Sequence, residues 1–161
     1  MLSFEDIYIS YSPEVYRFSM WLSGNAADAE DITAETFMRA WLNFASIRTE
    51  TLKAYLFTIA RNIYLESKRK QRQHDELLET HPDSKPNPEK DVEIRTEIDR
   101  IWNTLSTLPE IDRSAFVMRI QHDLPYSEIA RVLSLSETAA KVKVHRVRKF
   151  IFANATNKES S

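Results

Sequence analysis

Two stretches of this chain set positive charge among rings or short side chains at helical spacing, a combination whose chemistry is nucleic-acid binding. At about 100° per residue, Phe57, Arg61, Tyr64, Lys68 and Arg72 fall on one side of a helix that ends in the basic run Lys68-Arg69-Lys70-Gln71-Arg72. Cationic side chains attract phosphates, and exposed rings stack on unpaired bases for about 1–3 kcal/mol each. The same pattern also describes two rings packed under a neighbouring helix with a soluble basic end, and spacing alone leaves both readings open. Further on, Thr138, Lys141, Val142, His145 and Lys149 share an outward arc flanked by Lys143, Arg146 and Arg148, while Ala140, Val144, Val147 and Ile151 face inward. Short groups near a helix N-terminus reach base edges in a major groove, and longer basic groups clasp the phosphates on either side. The plain alternative is a basic surface helix in a bundle.

A third constellation is acidic. Asp28, Asp31 and Glu35, with Arg39, gather opposite Thr33, Phe37, Ala40, Trp41 and Phe44. That face is either simply solvated or a docking strip for a basic partner. Groups that carry catalysis are not apparent. His145 has no second His, Cys or carboxylate at ligand spacing on its helix. There is no glycine-rich phosphate loop, nucleophile elbow or paired-carboxylate motif. The reading is therefore not an enzyme, with no cofactor, no metal and no small-molecule substrate.

The elements that must position these groups are helices. In 161 residues there are one glycine and six prolines, too little material for hairpin turns, and 42% hydrophobic content is enough for buried cores. The fold class expected is all-α, with two small helical domains joined by an acidic flexible linker. Without cysteine there are neither disulfides nor thiolate metal sites, which suits a reducing compartment. The first residues lack a signal-peptide pattern, and no apolar run approaches membrane-spanning length, so a cytoplasmic protein without membrane insertion is expected. The formal net charge of -2 hides a segregation of signs along the chain.

Ser12-Pro13-Glu14 reads as a helix start, Gly24 as a C-cap and Asn25 as the cap of the second helix. After Ser46-Ile47-Arg48-Thr49, a third helix carries Leu52, Tyr55, Leu56, Ile59 and Ile63 inward. From about Gln73 to Val92 periodicity fails among Pro82, Pro86, Pro88 and several acids, which marks the linker. Two helices follow, broken at Leu108-Pro109. Pro125 to Leu133, the turn Ser134-Leu135-Ser136, and Glu137 to about Phe152 then form a helix-turn-helix. The divisions expected are 1–72, a linker over 73–93, 94–153, and a frayed polar tail over 154–161.

Two ordered motifs resemble the sigma-70 superfamily, specifically its two-domain extracytoplasmic-function group, from about Tyr8 to Phe152. Asp28-Ala29-Glu30-Asp31 through Glu35-Thr36-Phe37-Met38-Arg39-Ala40-Trp41, then Ala54-Tyr55-Leu56-Phe57-Thr58-Ile59-Ala60-Arg61-Asn62, look like sigma region 2. Leu108-Pro109, Tyr126-Ser127-Glu128-Ile129-Ala130 and Lys141 through Arg148 look like region 4. The resemblance implies a bacterial sigma factor that binds core RNA polymerase and promoter DNA and is held inactive by an anti-sigma factor. It implies that Asp28, Asp31, Glu35 and Arg39 dock on the clamp coiled coil of the polymerase's largest subunit. The loop from Asn43 to Thr51, with Ser46 and Arg48, and the helix carrying Phe57, Arg61, Asn62, Tyr64, Lys68 and Arg69 would open the minus-10 element and hold a flipped base, offsetting an unpairing cost of a few kcal/mol. Thr138, Lys141, Val142, Lys143, His145, Arg146, Arg148 and Lys149 would read the minus-35 duplex. The acidic linker would thread toward the RNA exit path.

Three residues depart from the family pattern. Ala34 stands where glutamine is usual and Ser134 where the turn often has glycine, and both are expected to adjust packing. Val142 replaces a small polar residue and is expected to favour a thymine methyl. The rival readings are a helix-turn-helix regulator that binds duplex DNA without polymerase, and an enzyme acting on nucleic acid, for which the chain offers no metal or acid/base constellation.

Overall fold

A computed structural model describes residues 2–78 and 97–160; most of the expected linker, residues 79–96, lies outside the described residues. Those described residues are helical without strands, in keeping with a sequence that holds little glycine for hairpin turns.

Helix α1 spans Phe4–Ser23 and begins with a capping box: the Asp6 N–H donates to Ser3 Oγ (3.1 Å) and the Ser3 N–H to Asp6 Oδ2 (3.2 Å). The start expected at Ser12-Pro13 is thereby corrected, because Pro13 lies inside the helix. An interior proline costs about 3 kcal/mol in an isolated helix. Tertiary packing of the earlier turns offsets it: Ile7 is buried, and the Phe4 ring sits edge-on to Phe37, Trp41 and Phe44 at 5.0–6.3 Å. The helix ends at Gly24, whose φ of +69° is open to glycine and strained for other residues.

Helix α2 spans Ala26–Leu42, with Asn25 Oδ1 accepting from the Asp28 N–H at 3.0 Å as expected of its cap. It buries Ala29, Ile32, Thr36, Phe37 and Ala40. Trp41, which spacing groups with Phe37 and Ala40, is 56% exposed at the edge of this face, packed between Phe4 and Phe44. Ala34 is exposed and touches no core, so it has no packing to adjust. Short 3-10 turns at Phe44–Ser46 and Thr49–Thr51 lead into α3, Leu52–Leu77, which continues past the boundary expected at residue 72.

Four helices build the C-terminal unit: α4, Glu97–Leu105; α5, Glu110–Ile120; α6, Tyr126–Leu133; and α7, Glu137–Ser160. Helix α6, the turn and α7 form the expected helix-turn-helix. Ser134 caps α6 in the left-handed region at φ +57° while exposed, so its departure from glycine acts on backbone conformation and not on packing. Ser136 Oγ accepts from the Ala139 N–H at 3.0 Å and starts α7. That helix runs through the segment expected to be frayed from Asn154.

The two units pack together, α5 against α1 and α6 against α3, and their buried residues form one continuous core. No helix among the described residues is long and apolar enough to cross a membrane.

Candidate nucleic-acid interface

Helix α7 is held by Ala140, Val144 and Val147, all buried, so its opposite arc must face solvent. Thr138, Lys141, Val142, His145, Arg146, Arg148 and Lys149 are exposed there, Val142 at 42%. Lys143 differs: its Nζ donates to Asp112 Oδ1 of α5 at 2.8 Å, tying α7 to its own support. Tyr126 at the start of α6 lies beneath two cations, with Arg119 at 4.3 Å and Lys141 at 5.7 Å from the ring centre. The result is a rigid helix with a basic outer arc and short groups at its N-terminal end, which matches major-groove geometry.

The face of α3 is divided. Ser46, Arg48, Asn62, Lys68 and Arg69 are exposed, and Lys68 lies 5.8 Å over the Tyr64 ring. Phe57 and Tyr64, by contrast, are corrected from exposed rings to buried ones, at 0% and 9% exposure. Phe57 stacks on Phe18 at 4.4 Å and meets the His122 ring edge-on at 4.7 Å. Spacing could not reveal this because the cover of Phe57 comes from α1 and from the other unit: the inward stripe of α3 widens to Ala54, Phe57, Ala60 and Tyr64, leaving Tyr55 and Ile59 only partly buried. Arg61 is likewise engaged, its Nε and Nη2 donating to the two Glu110 carboxylate oxygens at 2.5 and 2.8 Å.

On α2, Asp28 and Asp31 are exposed. Glu35 accepts from Arg39 at 2.6 Å, and Arg39 also reaches Glu66 of α3 at 3.2 Å. The strip therefore presents two free carboxylates beside a self-neutralised pair, with Met38 and Leu42 exposed nearby on the same helix.

Residues to which the sequence assigned no part in joining the units form the seam between them. Lys53 Nζ donates to Glu14 Oε1 (3.1 Å) and to the His122 carbonyl (3.0 Å), and His122 Nδ1 lies 3.2 Å from Glu14 Oε1. Burial lowers the His122 pKa, against the raising effect of Glu14, and nearby Lys53 and Arg17 lower it further. Burial raises the Glu14 carboxyl, but hydrogen bonds from His122 and Lys53 outweigh it and leave the pKa below its ordinary value. Arg113 Nη2 donates to the Leu22 carbonyl at 3.2 Å, and the Trp102 ring covers Gly24 so closely that a Cβ there would land inside it. These partners are far apart in the chain and form no local motif. Among the described residues no His, Cys, Asp and Glu gather as a metal site.

A helical unit bearing an acidic strip and a basic helix, joined to a helix-turn-helix with a basic outer arc, defines a two-unit DNA-binding protein. Comparison with known proteins narrows this class. The model of Sigma-70 region 2 matches residues 7–74, and that of Sigma-70, region 4 matches residues 98–151. The ECF RNA polymerase sigma factor SigM of Bacillus subtilis is 29% identical over 152 residues, covering 91% of each chain. The ECF RNA polymerase sigma factor SigE of Mycolicibacterium smegmatis is 30% identical over 156 residues, 92% of this chain and 60% of that one. The sigma factor RpoE solved in complex with the anti-sigma factor NepR from Bartonella quintana shares the fold, with a TM-score of 0.79 at 23% identity over 91% of this chain and 92% of that chain. The chain belongs to the sigma-70 superfamily, as an RNA polymerase sigma factor of the extracytoplasmic-function group.

Proposed function

We propose that this sigma factor docks on core RNA polymerase through α2, opens the minus-10 element with α3 and the preceding loop, and reads the minus-35 duplex with α7. The unit covering 1–72 acts as region 2 and that covering 94–153 as region 4. The observation that carries the reading is the α7 arc of Lys141, Val142, His145, Arg146, Arg148 and Lys149, exposed on a helix locked by α5 and α6, in one chain with a region 2 unit. Exposed Asp28 and Asp31 suit a basic surface on the polymerase, and Lys68 and Arg69 suit the DNA backbone. Binding energy alone drives strand opening, so the protein catalyses no reaction itself and acts in the cytoplasm, where the polymerase is. Control by an anti-sigma factor is supported by the likeness to RpoE, solved with one bound.

The test is in-vitro transcription with core polymerase, this protein and sheared genomic DNA, mapping transcript 5′ ends. Discrete protein-dependent starts sharing two spaced upstream elements are expected. No protein-dependent transcripts, with tight binding to duplex DNA alone, would replace this reading with a helix-turn-helix regulator.

A further inference from the structure

We infer that Glu66 of α3 is a base-reading residue of the minus-10 surface, accepting from the amino group of a cytosine, and that Arg39 of α2 positions it. The inference deepens the reading of α3 as that surface and rests on it.

With Phe57 and Tyr64 buried, the side of α3 left open carries the stripe Asn62, Glu66, Arg69 and Gln73, which falls within about 60° at about 100° per residue. Asn62, Arg69 and Gln73 are exposed, and the Glu66 side chain is 46% exposed. Glu66 is thus a carboxylate set among the cations that suit the DNA backbone. Carboxylate and phosphate repel, so an acid on such a surface is favourable only where it meets a hydrogen-bond donor, and DNA carries its donors on the bases. Cytosine suits it best. Its amino group has no acceptor beside it on the groove edge, whereas adenine places N7 next to N6.

The carboxylate is also held in place. Arg39 Nη2 donates to Glu66 Oε1 at 3.2 Å and to Glu35 Oε2 at 2.6 Å, and Arg39 Nε donates to the same Glu35 oxygen at 3.2 Å. The Arg39 carbonyl accepts from Asn43 Nδ2 at 3.2 Å, where the loop assigned to strand opening begins. Oε1 of Glu66 is therefore turned toward α2 and its charge balanced, while Oε2 has no partner among the described residues. Both side chains are open enough for solvent to screen the pair, so the contact contributes orientation more than stability. An acceptor already fixed in one rotamer loses less entropy when the base arrives.

The test is in-vitro transcription by the holoenzyme from a promoter library with the mapped minus-10 element randomised, reading base preference at each position from the transcripts. The wild type is expected to favour cytosine several-fold at one position. Glu66→Ala should remove the preference at that position alone, and Glu66→Gln, whose amide also donates, should admit thymine there. Arg39→Gln should weaken the same preference, and Arg39→Lys should keep most of it. If Arg39→Gln instead lowers every library member alike, Arg39 serves polymerase docking and its positioning role is overturned. Lys68→Ala removes a phosphate contact and should lower output from all sequences without changing preference. Unchanged preferences in Glu66→Ala, or an equal loss at every position, overturn the inference and leave Glu66 a strut between α2 and α3. If Asn62→Ala and Lys68→Ala are silent as well, the minus-10 reading has failed with it.

Discussion

Lys143 on the DNA-facing helix and Asp112 on the helix behind it form an ion pair at 2.8 Å, both side chains largely shielded from solvent. A residue that sits among DNA-binding cations thus braces the helix that presents them. Lys143→Ala is expected to lower stability by about 1 kcal/mol, measured by urea unfolding, whereas Lys141→Ala changes stability little. On promoter duplex bound by the holoenzyme, Lys141→Ala and Arg146→Ala should each reduce the salt slope by about one unit. A larger stability loss in Lys141→Ala than in Lys143→Ala would contradict the division of roles.

The acidic strip separates in the same way. Asp31 is exposed and Glu35 is paired with Arg39, so Asp31→Arg should weaken core polymerase binding at almost no cost in stability. Glu35→Arg should weaken binding too, but also lose several tenths of a kcal/mol by placing like charges one turn apart. Pull-down affinity and thermal melting read the two effects independently, and unchanged affinity in both variants would remove the docking assignment.

Ser134 holds a left-handed conformation that costs a non-glycine residue about 1–2 kcal/mol, while glycine forfeits about 0.5–1 kcal/mol of chain entropy. Ser134→Gly is therefore expected to stabilise the protein by about 0.5–1 kcal/mol in denaturant titration. A destabilised variant would mean that the serine side chain contributes more than its backbone strain costs.

Gly24→Ala goes the other way. The added Cβ meets the Trp102 ring, and the residue must keep its positive φ, so a loss of at least about 1 kcal/mol is expected by thermal denaturation. Trp102→Ala in the same chain should relieve the steric share of that loss and leave the backbone share, a non-additivity that independent sites would not show.

His122 makes the packing of the units sensitive to acid. Its pKa in the packed state lies below the ordinary 6.5, so the unpacked state binds the proton first. Stability is full above pH 6.5 and falls as the pH drops from there toward the lowered value. Glu14, also lowered, adds a loss of the same sign below pH 4.5. Urea unfolding should show stability falling as the pH drops from 7.5 to 5.5, and His122→Asn should abolish that part of the response.

The sequence by itself determined the helical class, the two units, the caps at Gly24 and Asn25, the helix-turn-helix, and the exposed arc from Thr138 to Lys149, because each follows from local periodicity and turn chemistry. Local signals also erred where tertiary packing outweighed them. Pro13 reads as a helix start, yet the capping box at Ser3 and the burial of Ile7 carry the helix through it. What only the tertiary structure decided is the fate of Phe57, Tyr64 and Arg61. Periodicity places them on a face of α3 but cannot say what covers that face, since Glu110 reaches Arg61, and His122 reaches Phe57, from a unit far along the chain. The pairing of Glu14 with His122, the cover of Trp102 over Gly24 and the brace from Asp112 to Lys143 have the same origin: they join helices whose contact depends on the packing of the whole chain.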